Sequence, residues 1–70
     1  MLNPYLVSMG KRVKARRVEL SLSQEQLGTI SGIDRTYISG IERGRRNATI
    51  LVLRRLAQAL ELSLASMFAE

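Results

Sequence analysis

The stretch that decides the fold is residues 22–44, LSQEQLGTISGIDRTYISGIERG, because it carries the signals of two short helices and a tight turn. Ser23 is followed three residues later by Gln26, which is the spacing of a capping box at a helix N-terminus. Asp34 is a second capping residue, and its negative charge suits the N-terminal end of a helix dipole. The glycines after each helical run are typical C-terminal stops. We therefore predict two helices, over about residues 24–31 and 35–43.

The turn between these helices determines how they pack. Only two or three residues separate them, including Gly32, and so short a turn forces the helices to cross steeply, as in a helix-turn-helix unit. Helical spacing turns Leu27 of the first helix toward Ile38 and Ile41 of the second. Gly28 has almost no side chain, and we expect the two helices to approach closely there. The second helix should therefore have one buried side and one outward side.

The outward side of the second helix is small, polar and flanked by arginines. At about 100° per residue, it carries Thr36, Ser39, Gly40 and Arg43, with Arg35 at one margin and Tyr37 at the other. Arg35 and Thr36 lie at the N-terminal end, where a recognition helix usually reaches base edges. An arginine can hold O6 and N7 of guanine together, and a threonine offers a hydroxyl and a methyl group. We predict that both residues read DNA; the alternative is an ordinary solvated first turn.

The segment after this helix is a basic loop with the sequence RGRRN. Loop cations beside a helix in a DNA groove suit phosphate contacts, which set register and affinity without reading sequence. The candidates are Arg43, Arg45, Arg46 and Asn47. Gln24 is a further candidate, since it begins a helix whose exposed backbone N–H groups favour an anion. A solvated loop is the alternative, and we favour phosphate contact for at least two of the arginines.

Length and composition limit the remaining possibilities. The 70 residues suffice for one small domain, residues 1–70, and Asn3-Pro4, Thr49 and Ser63 mark the starts of three further helices. No segment alternates apolar and polar residues, so the predicted fold class is all-α, a compact five-helix bundle containing the helix-turn-helix. The chain has no cysteine and no histidine, which excludes disulfides and argues against a metal site. No catalytic constellation is present, and we predict neither an enzyme nor a cofactor.

The charge of the chain indicates its class of partner. A net charge of +5 and a pI near 10.8 favour an anionic partner, either nucleic acid or an acidic membrane surface. A domain lying on a membrane should carry its basic residues on one helix face, whereas here they are divided between the first helix and a loop. The sequence shows no signal peptide and no apolar run long enough to cross a bilayer. We therefore expect double-stranded DNA as the partner, no membrane association and a cytoplasmic location.

Three stretches of the sequence resemble a known family: RVKARRVELSLSQEQL, GIDRTYISGIERG and LRRLAQALELSLASMF. Together they are similar to the five-helix DNA-binding domains of the phage repressor and Cro type, the lambda-repressor-like fold. Within that family, DRTYISGIERGRRN and the TI after Ala48 look most like the controller proteins of restriction–modification systems, which are small homodimeric regulators that bind paired operators. The resemblance implies DNA-facing side chains at Arg35, Thr36, Tyr37 and Ser39, and phosphate contacts at Gln24, Arg43, Arg46 and Asn47.

The resemblance also implies a buried ion pair between Arg17 and Glu42. From the residues alone, Tyr37 suits the edge of the core as well as a DNA contact, and Ser39 suits plain helix surface as well as a reading position. For each of these two residues, both interpretations stay open at the level of sequence.

The chain departs from the family pattern at several positions. Arg16 stands where an apolar core residue is usual, and Ser21 replaces a common glycine after the first helix. Ile30 is apolar where the pattern is usually polar, and Ser31 is polar where it is often apolar, so we expect the second helix to end or rotate slightly differently. Gly28 replaces a common alanine, which costs up to about 1 kcal/mol at a fully helical position.

The last third of the chain contains more apolar residues than one helix face can bury. We predict a two-fold dimer, which would place two recognition helices about 34 Å apart, one turn of DNA. The interface is expected to use the fifth helix and part of the fourth, at Ile50, Val52, Leu64, Met67 and Phe68. The alternative is that all these residues fold back into a single core.

Two functional hypotheses from different classes follow. The leading one is a sequence-specific DNA-binding transcriptional regulator that acts as a homodimer on a two-fold symmetric operator, with RNA polymerase as a further candidate partner. The alternative is an antitoxin-type protein-interaction module whose DNA binding is secondary. Antitoxins of this fold usually carry additional partner-binding sequence, for which 70 residues leave little room.

Overall fold

The computed structural model describes residues 3–68, in which five α-helices surround one core. The helices are α1 (Pro4–Glu19), α2 (Gln24–Ser31), α3 (Arg35–Glu42), α4 (Ile50–Ala59) and α5 (Leu64–Phe68). This part of the chain contains no strand, and the predicted all-α class is confirmed. The helix-turn-helix pair, α2 and α3, lies within one residue of its predicted bounds. None of the helices among residues 3–68 has both the length and the apolar character needed to span a bilayer.

Side-chain caps begin the helices where the sequence indicated. The side chain of Asn3 accepts a hydrogen bond from the backbone N–H of Tyr5 at 2.8 Å. Ser23 Oγ accepts from the Gln26 N–H at 2.9 Å, and Gln26 Oε1 accepts from the Ser23 N–H at 2.8 Å, which completes the capping box. Asp34 accepts from the second N–H of α3. These contacts fix where α2 and α3 begin, and so which side chains of α3 stand at its exposed end.

Residues in the left-handed conformation end the helices. Gly32 and Gly44 both have φ of +72°, as the glycine stops after α2 and α3 indicated. Ser21 and Glu61 adopt the same conformation after α1 and α4, with φ of 58° and 57°. Ser21 therefore keeps the geometry of the glycine it replaces, at a steric cost that glycine avoids. Its N–H still donates to the carbonyl of Val18 at 2.9 Å, so the end of α1 is closed normally.

The core lies beneath the α2–α3 pair and is completed by the other helices. Leu27, Ile38 and Ile41 are fully buried, as their spacing predicted. A Cβ atom added to Gly28 would lie 2.8 Å from the carbonyl oxygen of Ile33, which confirms the close approach expected there. The other buried hydrophobic residues are Met9, Val13, Ile33, Leu53, Leu56, Ala57, Leu60 and Met67.

The apolar residues near the C-terminus divide between core and surface. Met67 is fully buried within this chain, so its assignment to a dimer interface was wrong: α5 lies across the bundle with this side chain pointing inward. Val52 and Leu64 are partly buried and pack against the same core. Ile50 and Phe68 are 61% and 55% exposed. Of the predicted interface residues, these last two present most of their side chains to a partner.

Arg16, the basic residue at a usually apolar position, has a structural role at the end of α4. Its Nε donates to the carbonyl oxygen of Leu60 at 2.9 Å. Carbonyl groups at a helix C-terminus lack intrahelical partners, and a guanidinium group suits the negative end of the helix dipole. The contact ties α1 to α4, which explains how the bundle accommodates the arginine.

The two departures near the end of α2 leave that helix intact. Ser31 Oγ donates to the carbonyl of Leu27 at 2.7 Å, so the polar side chain is satisfied where it is partly buried. Ile30 points outward and is 58% exposed. The helix ends at Ser31, directly before the left-handed Gly32.

Candidate nucleic-acid interface

The exposed ends of α2 and α3 together form a shallow, open cleft. Gln24 from α2 and Arg35, Thr36 and Ser39 from α3 line this cleft of about 320 Å³. Arg35 and Thr36 are exposed, while Ser39 is partly buried. Three of the four residues predicted to face bases are thus brought together, and the fourth, Tyr37, lies to one side of them.

The N-terminal end of α3 gives the cleft its electrostatic character. The Asp34 carboxylate accepts from the Thr36 N–H at 3.1 Å and satisfies one of the unpaired donors at this helix end. Arg35 carries its positive charge immediately beside that end, and the Thr36 hydroxyl lies one position further along. The cleft therefore offers a guanidinium fork, a hydroxyl and an amide, which are groups suited to base edges and to phosphate oxygens.

A buried ion pair supports this end of the molecule from beneath. Arg17 Nε and Nη2 donate to the two carboxylate oxygens of Glu42 at 2.7 and 3.0 Å, and Arg17 Nη1 donates to the carbonyl of Leu22 at 2.8 Å. The two side chains are only 12% and 3% exposed. The hydrogen bond to Glu42 raises the pKa of Arg17 above its ordinary value, although burial acts in the opposite direction. The pair implied by the resemblance is therefore present, and it joins α1 to the end of α3.

The ion pair also positions Gln24. The Gln24 Nε2 group donates to Oε1 of Glu42 at 3.1 Å, the same oxygen that Arg17 Nη2 contacts. An amide side chain has two N–H donors and one carbonyl acceptor, so Gln24 retains one donor and its acceptor for other partners. The sequence did not reveal this contact, because it depends on how closely the start of α2 approaches the end of α3.

The basic loop after α3 has two kinds of arginine. Arg45 and Asn47 are exposed, and Arg43 is exposed with its Nε donating to the carbonyl of Ser39 at 3.2 Å. Arg46 instead folds back along α3, with its guanidinium carbon 5.0 Å from the centre of the Tyr37 ring, a cation–π distance. The loop is thus not uniformly extended toward solvent.

The fold-back of Arg46 changes the predicted outward face of α3. Gly40 was predicted on this outward side, but it is buried there because the aliphatic stem of Arg46 covers it. Tyr37 is partly buried, packing against the core on one side and beneath Arg46 on the other. A glycine in the middle of a short helix was the available sequence signal, since helix propensity alone disfavours glycine there.

The comparison with known proteins identifies the family. A helix-turn-helix family model matches residues 13–66, which include all of α2, α3 and α4. The chain belongs to the helix-turn-helix family. Among its relatives, control protein C.SmaI of Serratia marcescens is 47% identical over 55 residues, which cover 79% of this chain and 66% of the relative.

Solved structures of regulators match this chain over most of its length. The restriction–modification controller protein C.AhdI from Aeromonas hydrophila matches with a TM-score of 0.87 at 41% identity, over 90% of this chain and 96% of that one. Controller protein C.Esp1396I, solved as a tetramer with its natural 35 base-pair operator, matches with a TM-score of 0.85 at 41% identity, over 94% and 87% of the two chains. The helix-turn-helix protein is a DNA-binding regulator that resembles restriction–modification controller proteins, which confirms the resemblance found in its sequence.

Proposed function

We propose that this protein is a sequence-specific operator-binding regulator of the restriction–modification control type, with α3 as its recognition helix in the major groove. The observation that carries this proposal is the cleft at the exposed end of the α2–α3 pair, where Arg35 and Thr36 stand in the first turn of α3. These are the positions from which a recognition helix reaches base edges. Support comes from C.Esp1396I, which shares the fold and occupies its operator as a tetramer.

The residues around the cleft divide into readers and phosphate contacts in this proposal. Arg35, Thr36 and Ser39 contact bases, with Tyr37 beside them. Phosphate contacts come from Gln24, Arg43, Arg45, Arg46 and Asn47. The bond from Arg43 to the carbonyl of Ser39 keeps one loop cation next to the reading face, where it can meet the backbone that flanks the groove.

A single copy of the chain is shorter than the distance between two half-sites on DNA. Successive major-groove faces on one side of a duplex are about 34 Å apart, whereas the longest extent of the described residues is 30 Å. Reading two half-sites therefore takes two copies of the chain. The start of α4 and the end of α5 expose Ile50, Leu51 and Phe68, and we propose that these residues, with Val52 and Leu64 at their edge, form the two-fold interface.

Phe68→Asp is expected to shift the protein from dimer to monomer, because it places a charge in the proposed apolar interface. The measurement is sedimentation velocity from low to high micromolar concentration. Ile30→Asp is the matched control, since Ile30 is exposed to a similar degree but belongs to α2. A wild-type protein that stays monomeric at high micromolar concentration contradicts the dimer.

Arg35→Ala is expected to cost about 1–3 kcal/mol of operator binding and to relax discrimination at one base position. The reason is that a guanidinium fork reads a base through two directed hydrogen bonds, which alanine cannot replace. Competition between the operator and duplexes with single base-pair changes measures both effects. Equal weakening on every duplex would assign Arg35 to phosphate contact instead.

Arg45→Ala is expected to weaken binding to all duplexes alike and to reduce the salt slope of log K by about one unit. Arg45 is exposed in the loop, and a phosphate contact contributes through counterion release and not through sequence. Titrations at several salt concentrations test this, with Arg35→Ala as the comparison.

We also propose a cytoplasmic location and RNA polymerase as a further partner. A regulator of this kind works on cytoplasmic DNA, and an operator-bound dimer that activates transcription does so by contacting RNA polymerase. Transcription in vitro from a promoter carrying the selected operator separates activation from repression, because only activation requires polymerase recruitment by the bound protein.

A further inference from the structure

The side chain of Arg46 lies against the surface of α3, in a space that is open because Gly40 has no side chain. A Cβ atom added to Gly40 would lie 2.6 Å from Cγ of Arg46 and 3.4 Å from its Nε. The aliphatic stem of Arg46 therefore passes directly over the Gly40 backbone. In this position its guanidinium lies over the Tyr37 ring, with 5.0 Å between Cζ and the ring centre.

The backbone conformation of α3 does not require a glycine at position 40. Unlike Gly32 and Gly44, Gly40 has no positive φ, so the backbone conformation there is open to any residue. Alanine would favour the helix more than glycine does. Outside the helix itself, the three atoms nearest to such a Cβ all belong to Arg46, so the arginine fills the space left by the missing side chain.

We infer that Gly40 is a specificity-determining positioning residue: it allows Arg46 to lie over Tyr37, so that the stacked guanidinium holds the ring in place for reading a base and keeps its own N–H groups for a phosphate. The inference rests on the proposed function, in which α3 reads an operator. Tyr37 lies one turn before Gly40 and one position after Thr36, so the ring stands beside the cleft and would meet the base pair next to those read by Arg35 and Thr36.

The stack fixes side chains that otherwise sample many rotamers. Ordering them before DNA arrives lowers the conformational cost of binding at this position. A planar guanidinium can stack on a ring and still use its N–H groups toward DNA, which a lysine ammonium cannot do in the same geometry. Both Arg45 and Arg46 are exposed, and they differ because Arg46 lies over the Tyr37 ring.

The position of Arg46 over Tyr37 is tested first in the protein without DNA. In the NMR spectrum of the wild-type protein, the δ-methylene protons of Arg46 are expected to be shifted upfield by the ring current of Tyr37. Gly40→Ala should abolish that shift by displacing the stem, and Tyr37→Leu should abolish it by removing the ring. Arg45→Ala, the matched control, should leave it unchanged. The thermal midpoint of Gly40→Ala should equal or exceed that of the wild type, since alanine favours the helix.

The reading role is then tested by competition between the selected operator and duplexes with single base-pair changes. Gly40→Ala and Arg46→Lys should each lower discrimination about two- to five-fold at the base pair facing Tyr37, the range set by an exposed cation–π contact. Both variants keep the loop charge, so their salt slopes should stay at the wild-type value. Arg45→Ala should instead lower affinity for every duplex equally.

The outcomes separate this inference from the proposed function. If Gly40→Ala distinguishes the operator from the duplexes with single base-pair changes as well as the wild type does, the inference fails and the proposed function stands. Retention of the Arg46 upfield shift in Gly40→Ala would also overturn the inference. If the wild type selects no operator at all, the proposed function fails, and the reading role of Gly40 fails with it.

Discussion

Glu42→Ala is expected to lower the free energy of unfolding by about 3–5 kcal/mol, because it leaves the Arg17 guanidinium buried without its carboxylate. That guanidinium makes two hydrogen bonds to Glu42 and is only 12% exposed, so the charge is left largely removed from solvent when the carboxylate is lost. Small domains have total stabilities of about 5–15 kcal/mol, and the loss is therefore a large fraction. Urea denaturation followed by circular dichroism measures it.

Two further variants make the test of Glu42 specific. Glu19→Ala removes a carboxylate that is 66% exposed and 3.8 Å from Arg16, and it should change stability by at most about 1 kcal/mol. The double variant Arg17→Met with Glu42→Leu removes both charges together and should recover much of the loss, since no unpaired buried charge remains. A loss below about 1 kcal/mol for Glu42→Ala would show that the pair is effectively solvated.

The effect on DNA binding is expected to follow from the same contact. Gln24 donates to the Glu42 oxygen that also receives Arg17, so the carboxylate holds a cleft residue in place. Under conditions where Glu42→Gln is folded, it should bind the operator more weakly than the wild type. Gln24→Ala should lower affinity without a comparable loss of stability, because its side chain lies at the surface end of the network.

Gly10→Ala is expected to destabilise the protein by about 1–3 kcal/mol, as overpacking of a close helix contact does. A Cβ atom on Gly10 would collide with the carbonyl oxygen of Ile41 and come within 2.8 Å of the carbonyl oxygen of Glu42. Both atoms belong to the backbone at the end of α3, which cannot move aside as a side chain would. The steric cost therefore exceeds the gain in helix propensity, about 1 kcal/mol, that alanine provides.

The Gly10 variant should also affect DNA binding, because separating α1 from α3 disturbs the ion pair beneath the cleft. Ser8→Ala is the matched control: Ser8 lies two residues earlier on α1 and is exposed, so its replacement should be neutral or slightly stabilising. Thermal unfolding of the two variants side by side gives the comparison. A Gly10→Ala protein as stable as Ser8→Ala would contradict the close contact between α1 and α3.

Local signals in the sequence were sufficient for the helices and for the helix-turn-helix pair. Capping by Ser23 and Asp34 and the left-handed glycines act over a few neighbouring residues, so their meaning depends little on tertiary structure. The burial of Leu27 and Ile38 follows in the same way from helical period and a short turn. The Arg17–Glu42 pair was implied only by the family resemblance, since it joins residues far apart in sequence.

The features that sequence did not predict depend on how elements approach one another. Met67 and Phe68 are adjacent, and only the direction in which the five-residue α5 lies across the bundle decides that the first is buried and the second exposed. Gly40 is covered because the side chain of a loop residue, Arg46, folds back along the helix. A projection of α3 alone contains no information about that return.

The central claim is that α3 reads sequence and that two copies of the chain read it together. Selection of binding sites from a random duplex pool at near-physiological salt, followed by sequencing of the bound fraction, tests both parts at once. We predict a two-fold symmetric motif whose half-sites are about one helical turn apart, and whose specificity at one position is lost with Arg35→Ala. Recovery of no motif despite salt-sensitive binding would contradict sequence reading by α3. It would mean that the basic surface binds DNA without sequence preference.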